Sequence, residues 1–189
     1  MRIRLEARLD DARIPMQVDI GFGDVIVPPA QEATYPTLLG HSAPRILTYP
    51  REVAIAEKCE AMVSLAVTNS RMKDFYDVYQ LASSFEFDGI VLSRAIGATF
   101  DRRGTLRPIT EPVVWSAEFL GAPERQAQWR AFLRRGRLDA PPDATEIALV
   151  LREFLGPVMM AVANGEEFAA IWPARGPWRR QESGGGLAS

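Results

Sequence analysis

Two acidic residues, Asp74 and Asp77, lie three positions apart in the segment NSRMKDFYDVYQLA, residues 69–82. At that spacing both carboxylates share one face of a helix. Arg71 precedes Asp74 by three residues and Lys73 precedes Asp77 by four, so each acid has a cation within reach on the same helix. The residues alone leave two interpretations open. The acids form either a solvated face of ion pairs or the wall of a cleft in which they do chemistry.

Lys58, in the segment AIAEKCEAM, is a second candidate for chemistry. Ile55, Cys59 and Met62 recur at helical spacing and predict a buried stripe, and Lys58 lies at the edge of that stripe. A lysine in this position can extend to water or pair with a neighbouring glutamate. It can also direct its ammonium group into a cleft as a point charge for phosphate.

Asp19 is the third candidate, in the middle of the segment QVDIGFGD. Val18 and Ile20 point to the opposite face of a predicted strand, so the Asp19 carboxylate lies on the open face. A carboxylate there can bind a hard divalent cation such as Mg²⁺. A solvent-facing aspartate on the open side of an antiparallel sheet is the more common reason for this pattern. The glycines that follow lack the spacing of a dinucleotide-binding loop.

Two groups of arginines near the ends of predicted helices are weaker candidates: Arg102 and Arg103, and Arg134, Arg135 and Arg137 with Trp129 nearby. Such a cluster can contact the phosphate backbone of a nucleic acid. Arginines at the end of a helix interact favourably with its dipole in any case, so a purely structural role explains them without a ligand.

Strands at the start of the chain and helices after it must position these residues. Residues 2–9, RIRLEARL, alternate between polar and apolar, and residues 14–20 do the same, which predicts an antiparallel hairpin. Residues 27–44 are rich in proline and predict an irregular loop, and residues 45–50, RILTYP, predict a short strand.

From Pro50 onward the apolar spacing becomes helical, which predicts an α+β fold with a small antiparallel sheet followed by a helical half. Predicted helices begin after Pro50, after Asn69 or Ser70 as a cap, and again within residues 91–103, 124–136 and 144–165. We expect residues 1–84 to form the sheet and its first helices, 85–175 a helical region, and 176–189 a disordered tail.

The composition favours a cytoplasmic globular protein. Of the 189 residues, 47% are hydrophobic and 24% charged, and the formal net charge is −2, which gives no global case for nucleic-acid binding but permits a local basic patch. A single cysteine, Cys59, excludes an internal disulfide and fits a reducing compartment. No apolar run approaches the ~20 residues that a membrane span needs, so we expect no membrane contact.

The segments VDIGFGD, YPREVAIAEKCEAMV and NSRMKDFYDVYQLA together resemble the AbiEii/AbiGii-type nucleotidyltransferase toxins, within the DNA polymerase β-like superfamily. A helix-borne lysine followed by K/R-D-x-x-D-x-Y carries most of the resemblance, which covers about residues 1–105. The resemblance implies a toxin that transfers nucleotides from a nucleoside triphosphate with Mg²⁺ to an RNA acceptor, with tRNA known for relatives. It also implies a cognate antitoxin as a partner.

By the same resemblance, Lys58 matches the lysine that contacts the triphosphate, and Asp74 and Asp77 match the catalytic aspartates of the following helix. Asp19 would occupy the strand position of a metal-binding carboxylate. The first motif of the family, a Gly-Gly or Gly-Ser helix start followed by a strand with D-x-D, is not found in the sequence.

That difference, together with predicted strands too few for an independent sheet, suggests two explanations. Either another chain completes the sheet, or this chain is the downstream part of a nucleotidyltransferase toxin. In the second case we expect weak or no activity from this chain, because two-metal phosphoryl transfer needs several carboxylates. The alternatives are a non-catalytic module that binds an antitoxin or RNA, and a decayed remnant without function.

Overall fold

The computed structural model describes residues 1–22 and 26–180. Within them the chain forms two β-hairpins, then a body of α-helices, with a small third sheet against that body. The strands are β1 (Arg2–Leu9), β2 (Ala12–Asp19), β3 (Gln31–Thr34), β4 (Arg45–Thr48), β5 (Phe87–Asp88), β6 (Ala170–Trp172) and β7 (Arg179–Arg180). The helices are α1 (Arg51–Leu65), α2 (Met72–Ser84), α3 (Gly89–Arg103), α4 (Ala117–Gly121), α5 (Pro123–Gly136) and α6 (Ala144–Asn164). The α+β fold class is confirmed.

The first hairpin pairs β1 with β2, as the alternating pattern predicted. Its register places Ile3 opposite Val18 and Leu5 opposite Met16, so the apolar side chains of both strands lie on one face. All four of these side chains are exposed to solvent. The alternation typical of a half-buried strand is therefore present, but within the described residues no other element covers the apolar face.

The second hairpin pairs β3 with β4 in antiparallel fashion. The predicted short strand within residues 45–50 is confirmed by β4. The prediction of an irregular loop over residues 27–44 is wrong for Gln31–Thr34, which forms β3. The sequence QEAT has no alternation of apolar and polar residues that would predict a strand. Its strand conformation depends on pairing with β4 across a loop, which the local sequence does not show.

The helical body buries one core that α1, α2, α3 and α6 share. The stripe predicted for α1 faces this core, where Ile55 and Cys59 are fully buried, and Phe75 of α2 is fully buried there as well. The helices predicted from Pro50 onward are confirmed, and the short helix α4 was not predicted. Because the core includes residues on both sides of position 84, it spans the predicted boundary there, and that division into regions stays a prediction.

The third sheet joins distant parts of the chain, with strand order β5–β6–β7, and the sequence did not predict it. Trp172 on β6 donates a hydrogen bond from Nε1 to the Ala82 carbonyl oxygen at 2.8 Å and packs against Phe154 with ring centroids 4.9 Å apart. The disordered tail was expected from residue 176, but Arg179 and Arg180 form β7. The rest of that expectation, residues 181–189, lies outside the described residues.

A search of the described helices for a membrane span found no segment with the required length and apolar character.

Candidate functional site

The Lys58 side chain lies at the edge of the buried stripe of α1, where it is partly exposed. Its neighbour Cys59 is fully buried, and burial raises the pKa of the Cys59 thiol above its usual range. The Lys58 side chain is only 21% exposed and reaches across to α2. The predicted position of Lys58 beside the buried face is confirmed, and its ammonium group points to the predicted pair of acids.

The two acids lie beside the buried stripe of α2. Phe75 and Val78 on that stripe are fully buried, which fixes the rotation of the helix against the core. The Asp74 side chain is 3% exposed and that of Asp77 is 22% exposed. Asp74 is therefore not part of a solvated face, which was one of the two interpretations of the sequence.

The Lys58 ammonium bridges the two carboxylates. Its Nζ lies 2.5 Å from Asp77 Oδ2 and 3.4 Å from Asp74 Oδ1. Each acid also has the cation that its spacing predicted, Arg71 just before α2 and Lys73 in its first turn. Arg71 Nε lies 3.0 Å from Asp74 Oδ2, and Lys73 Nζ lies 2.5 Å from Asp77 Oδ2. Three cations thus surround two carboxylates at the junction of α1 and α2.

The charges around Asp77 determine its protonation. Burial raises the pKa of this carboxyl group, but the hydrogen bonds and positive charges of Lys58 and Lys73 outweigh burial. The pKa of Asp77 is consequently lower than its ordinary value. Asp77 is therefore an anion at neutral pH, and both lysines bind to it as an anion.

One oxygen of Asp74 is buried without a hydrogen bond from the described residues. This atom, Oδ2, has the Arg71 guanidinium as an ion-pair partner, but the geometry of that contact does not make a hydrogen bond. Buried carboxylate oxygens usually accept hydrogen bonds, and a missing one costs free energy. The Asp74 carboxylate thus retains capacity for one more donor or cation.

The loop between α1 and α2 is held from the other side of the site by Arg125 on α5. The Arg125 guanidinium donates to the carbonyl oxygens of Val67 at 2.7 Å and Asn69 at 2.6 Å. Asn69 is fully buried, and its Oδ1 accepts a hydrogen bond from the Arg71 backbone nitrogen at 2.8 Å, one residue before α2 begins. The prediction that Asn69 or Ser70 caps α2 is wrong, because the N-cap is Arg71 and no side chain caps the helix, but the Asn69 side chain orders the residues just before it.

The sequence did not reveal Arg125, because it lies more than fifty residues from the loop it holds. Its only sequence signal is an arginine close to the beginning of a predicted helix, which is too common to identify a partner.

Asp19 lies on the exposed first hairpin and forms none of the ion pairs of Lys58. Its carboxylate binds Arg2 Nε at 2.7 Å and Gln17 Nε2 at 2.9 Å, and these hydrogen bonds lower its pKa. Among the described residues, no three histidine, cysteine, aspartate or glutamate side chains are placed to hold a metal ion. The described side chains therefore do not by themselves fit a divalent cation, and the metal role of Asp19 stays a prediction.

A comparison with protein families identifies the kind of protein that carries this arrangement. The model of the family described as "Nucleotidyl transferase AbiEii toxin, Type IV TA system" matches residues 1–154. The chain belongs to the AbiEii family. The matched range includes both hairpins and the whole ion-pair cluster of Lys58, Asp74 and Asp77, which confirms the resemblance seen in the sequence.

The AbiEii family consists of nucleotidyltransferase toxins of type IV toxin–antitoxin systems, so an antitoxin is the expected counterpart of a member. Searches of curated proteins and of solved structures returned no match.

Proposed function

We propose that this chain carries the triphosphate-binding side of a nucleotidyltransferase site and acts as a toxin in the cytoplasm. The observation that carries the proposal is the Lys58 ammonium, which bridges Asp74 and Asp77 at the junction of α1 and α2. A lysine that is partly exposed yet held by two carboxylates is oriented before a ligand arrives, and lysine binds phosphate well as a point charge.

In the proposed reaction a nucleotidyl group moves from a nucleoside triphosphate to a hydroxyl group at the end of an RNA acceptor, with tRNA as one such acceptor. The acceptor oxygen forms a bond to the α-phosphorus, the bond to pyrophosphate breaks, and the hydroxyl proton is released. Such transfers depend mostly on positioning and on neutralising charge. Lys58 binds the triphosphate, and Asp74 and Asp77 are the carboxylates that orient Lys58.

Lys73 makes this role of Lys58 compatible with the charge of Asp77. When Lys58 turns toward a phosphate group, the Asp77 carboxylate still has Lys73 Nζ at 2.5 Å. The Asp77 carboxylate is therefore still paired with a cation after Lys58 has turned to the phosphate, and the cost of leaving a partly buried charge unpaired is avoided.

We further propose that this chain alone transfers nucleotides weakly. A divalent cation, which nucleotidyltransferases typically use, would neutralise the phosphates, but the described side chains do not complete a site for it, so we assign no step of the reaction to a metal. Asp19 is the carboxylate that we propose as one ligand, provided that its pairing with Arg2 and Gln17 is released.

A second function, a non-catalytic module that binds the antitoxin, is favoured by the first hairpin. Its apolar face exposes Leu5, Met16 and Val18, and exposed apolar patches of this kind mark interaction sites. Nucleotide binding separates the two functions, because a binding module of this kind does not need to bind a nucleoside triphosphate.

Replacing Lys58 tests the first function. We expect Lys58→Met to weaken binding of a nucleoside triphosphate by about tenfold or more, because a charged hydrogen-bond donor is lost. Isothermal titration calorimetry measures this affinity, and transfer of labelled nucleotide to RNA measures activity where it is detectable.

Arg94→Met is the matched control, because Arg94 forms an exposed ion pair with Glu167, 2.6 Å away and outside the site. Circular dichroism checks that both variants are folded. Equal affinities for the wild type and the folded Lys58→Met variant would exclude the role of Lys58. If the wild type binds no nucleotide but binds its antitoxin, the second function is correct.

A further inference from the structure

A groove lies next to the site, between the first turn of α2 and one face of α5. It has a volume of about 470 Å³, and its walls include Arg71, Lys73, Gln128, Phe132 and Arg135. The α5 residues among them recur at helical spacing, so they form one continuous face of that helix. Of these residues, the proposed nucleotidyltransferase function uses only Lys73, as the second cation of Asp77, and it gives no role to the α5 face of the groove.

Three cationic side chains line the groove. Arg71, Lys73 and Arg135 line it, and no carboxylate is among the described residues that do so. In the described part of the chain, the Arg135 guanidinium makes no ion pair or hydrogen bond. A cationic groove of this kind contrasts with the net charge of −2 for the whole chain, so the positive charge is local.

The groove is continuous with the candidate site. Arg71 and Lys73 line the groove, and the same two side chains form ion pairs with Asp74 and Asp77. A polyanion in the groove would therefore contact cations that also contact the site carboxylates. Its bound end would lie beside the Lys58 ammonium, the place where the proposed transfer occurs.

An aromatic ring in the groove adds a second feature suited to nucleic acid. Phe132 lines the groove and packs against Tyr76 and Trp129, with ring centroids 5.8 Å and 5.9 Å away. These neighbours hold the Phe132 ring in place. Proteins that bind single strands combine a cationic groove with aromatic rings on which bases stack.

We propose that this groove binds the phosphate backbone of a single-stranded RNA, the acceptor strand, and directs its end to the site at Lys58. Arg135, Arg71 and Lys73 contact the phosphates, and Phe132 stacks on a base. This inference rests on the proposed function for the identity of the strand as an acceptor, but the binding itself is measured independently of transfer.

The test measures binding of a fluorescent single-stranded oligoribonucleotide by anisotropy over a range of salt concentrations. We expect Arg135→Gln to weaken binding about fivefold at about 0.1 M salt and to reduce the salt slope by about 0.7, the change for one lost phosphate contact. We expect Phe132→Leu to weaken binding about fivefold or more without changing the slope, because stacking does not release counterions.

Arg179→Gln is the matched control, because Arg179 is an exposed arginine on β7, outside the groove. The inference is overturned if the wild type does not bind the strand, or if Arg135→Gln and Arg179→Gln weaken binding equally. It is also overturned if duplex RNA or anionic lipid vesicles bind as tightly as the single strand, because the surface would then bind anions in general.

Nucleotide binding, measured on the same proteins, keeps the two proposals separate. We expect Arg135→Gln to bind a nucleoside triphosphate as the wild type does. If the wild type binds RNA but no nucleotide, and Arg135→Gln weakens the RNA binding, the proposed transfer is wrong while RNA binding in the groove is supported. If Lys58→Met loses the nucleotide but RNA does not bind the wild type, the reverse holds.

Discussion

At the scale of single residues, the use of lysine separates the site from the rest of the protein. Lys58 and Lys73 are the two lysines of the chain, against twenty arginines. Both lie at the carboxylate of Asp77. An ammonium group is a compact charge that can exchange one oxygen partner for another, whereas a guanidinium favours a fixed, forked geometry. Lysine therefore suits the role that we propose for Lys58, in which its ammonium group exchanges Asp77 for a phosphate.

The pH dependence of stability tests the state of Asp77. Its pKa is lower in the folded protein, so the ionised carboxylate stabilises the fold above the unfolded pKa of about 3.9. That stabilisation decreases as the pH falls through this value toward the folded pKa and is absent below it. We expect Asp77→Asn to cost about 1 to 2 kcal/mol at pH 7 and progressively less below about pH 4.

Urea denaturation at stepped pH measures this difference in the free energy of unfolding. Asp101→Asn serves as the control, because Asp101 pairs with Arg107 at the surface and we expect a change within about 0.5 kcal/mol. A penalty for Asp77→Asn that stays constant from pH 7 to pH 3 would contradict the ion-pair account.

At the scale of elements, the site depends on how α2 is placed against α1. Arg125 holds the loop between them through the carbonyl oxygens of Val67 and Asn69, and its guanidinium also stacks on the Phe119 ring at 4.6 Å. This contact makes α5 a support for the site, although α5 carries no residue of the ion-pair cluster.

Removal of this support is expected to disturb the loop more than the core. We expect Arg125→Met to lower the free energy of unfolding by about 1 to 3 kcal/mol, because two carbonyl groups lose a charged donor. Hydrogen exchange within residues 66–74 should become faster, and nucleotide affinity should fall with it. Arg130→Met, which changes an exposed arginine of the same helix, provides the comparison. Equal exchange rates in both variants would show that Arg125 does not hold the loop.

At the scale of the whole molecule, the stability of the chain resides in the helical body. Phe75 and Phe154 are fully buried in its core, whereas the large apolar residues of the first hairpin are exposed. The hairpin strands contact each other, and their apolar face contributes little to folding as long as it stays in water.

Truncation of one residue in each part measures this difference. We expect Phe75→Ala to lower the free energy of unfolding by about 3 to 5 kcal/mol, because it leaves a cavity in the core. We expect Leu5→Ala, at an exposed position, to change it by no more than about 0.5 kcal/mol. A cost of several kcal/mol for Leu5→Ala in chemical denaturation would mean that the apolar face of the hairpin is buried in solution.

The sequence by itself determined the features that depend on local periodicity. Alternation in residues 2–9 predicted the first hairpin, and helical spacing predicted the buried face of α1. The ion pairs of Arg71 with Asp74 and of Lys73 with Asp77 followed from spacing of three and four residues. Such features need only the geometry of one element, so they can be derived without knowledge of the fold.

Only the tertiary structure decided which of these residues meet. Lys58 reaches Asp77 because α1 and α2 pack side by side, and Arg125 reaches the loop between them from a third helix. The tertiary structure also places Asp19 on an exposed hairpin, where it pairs with Arg2, and forms the cationic groove that Lys73 lines. Contacts between distant segments depend on how buried faces fit together, and no periodicity within one segment encodes that fit.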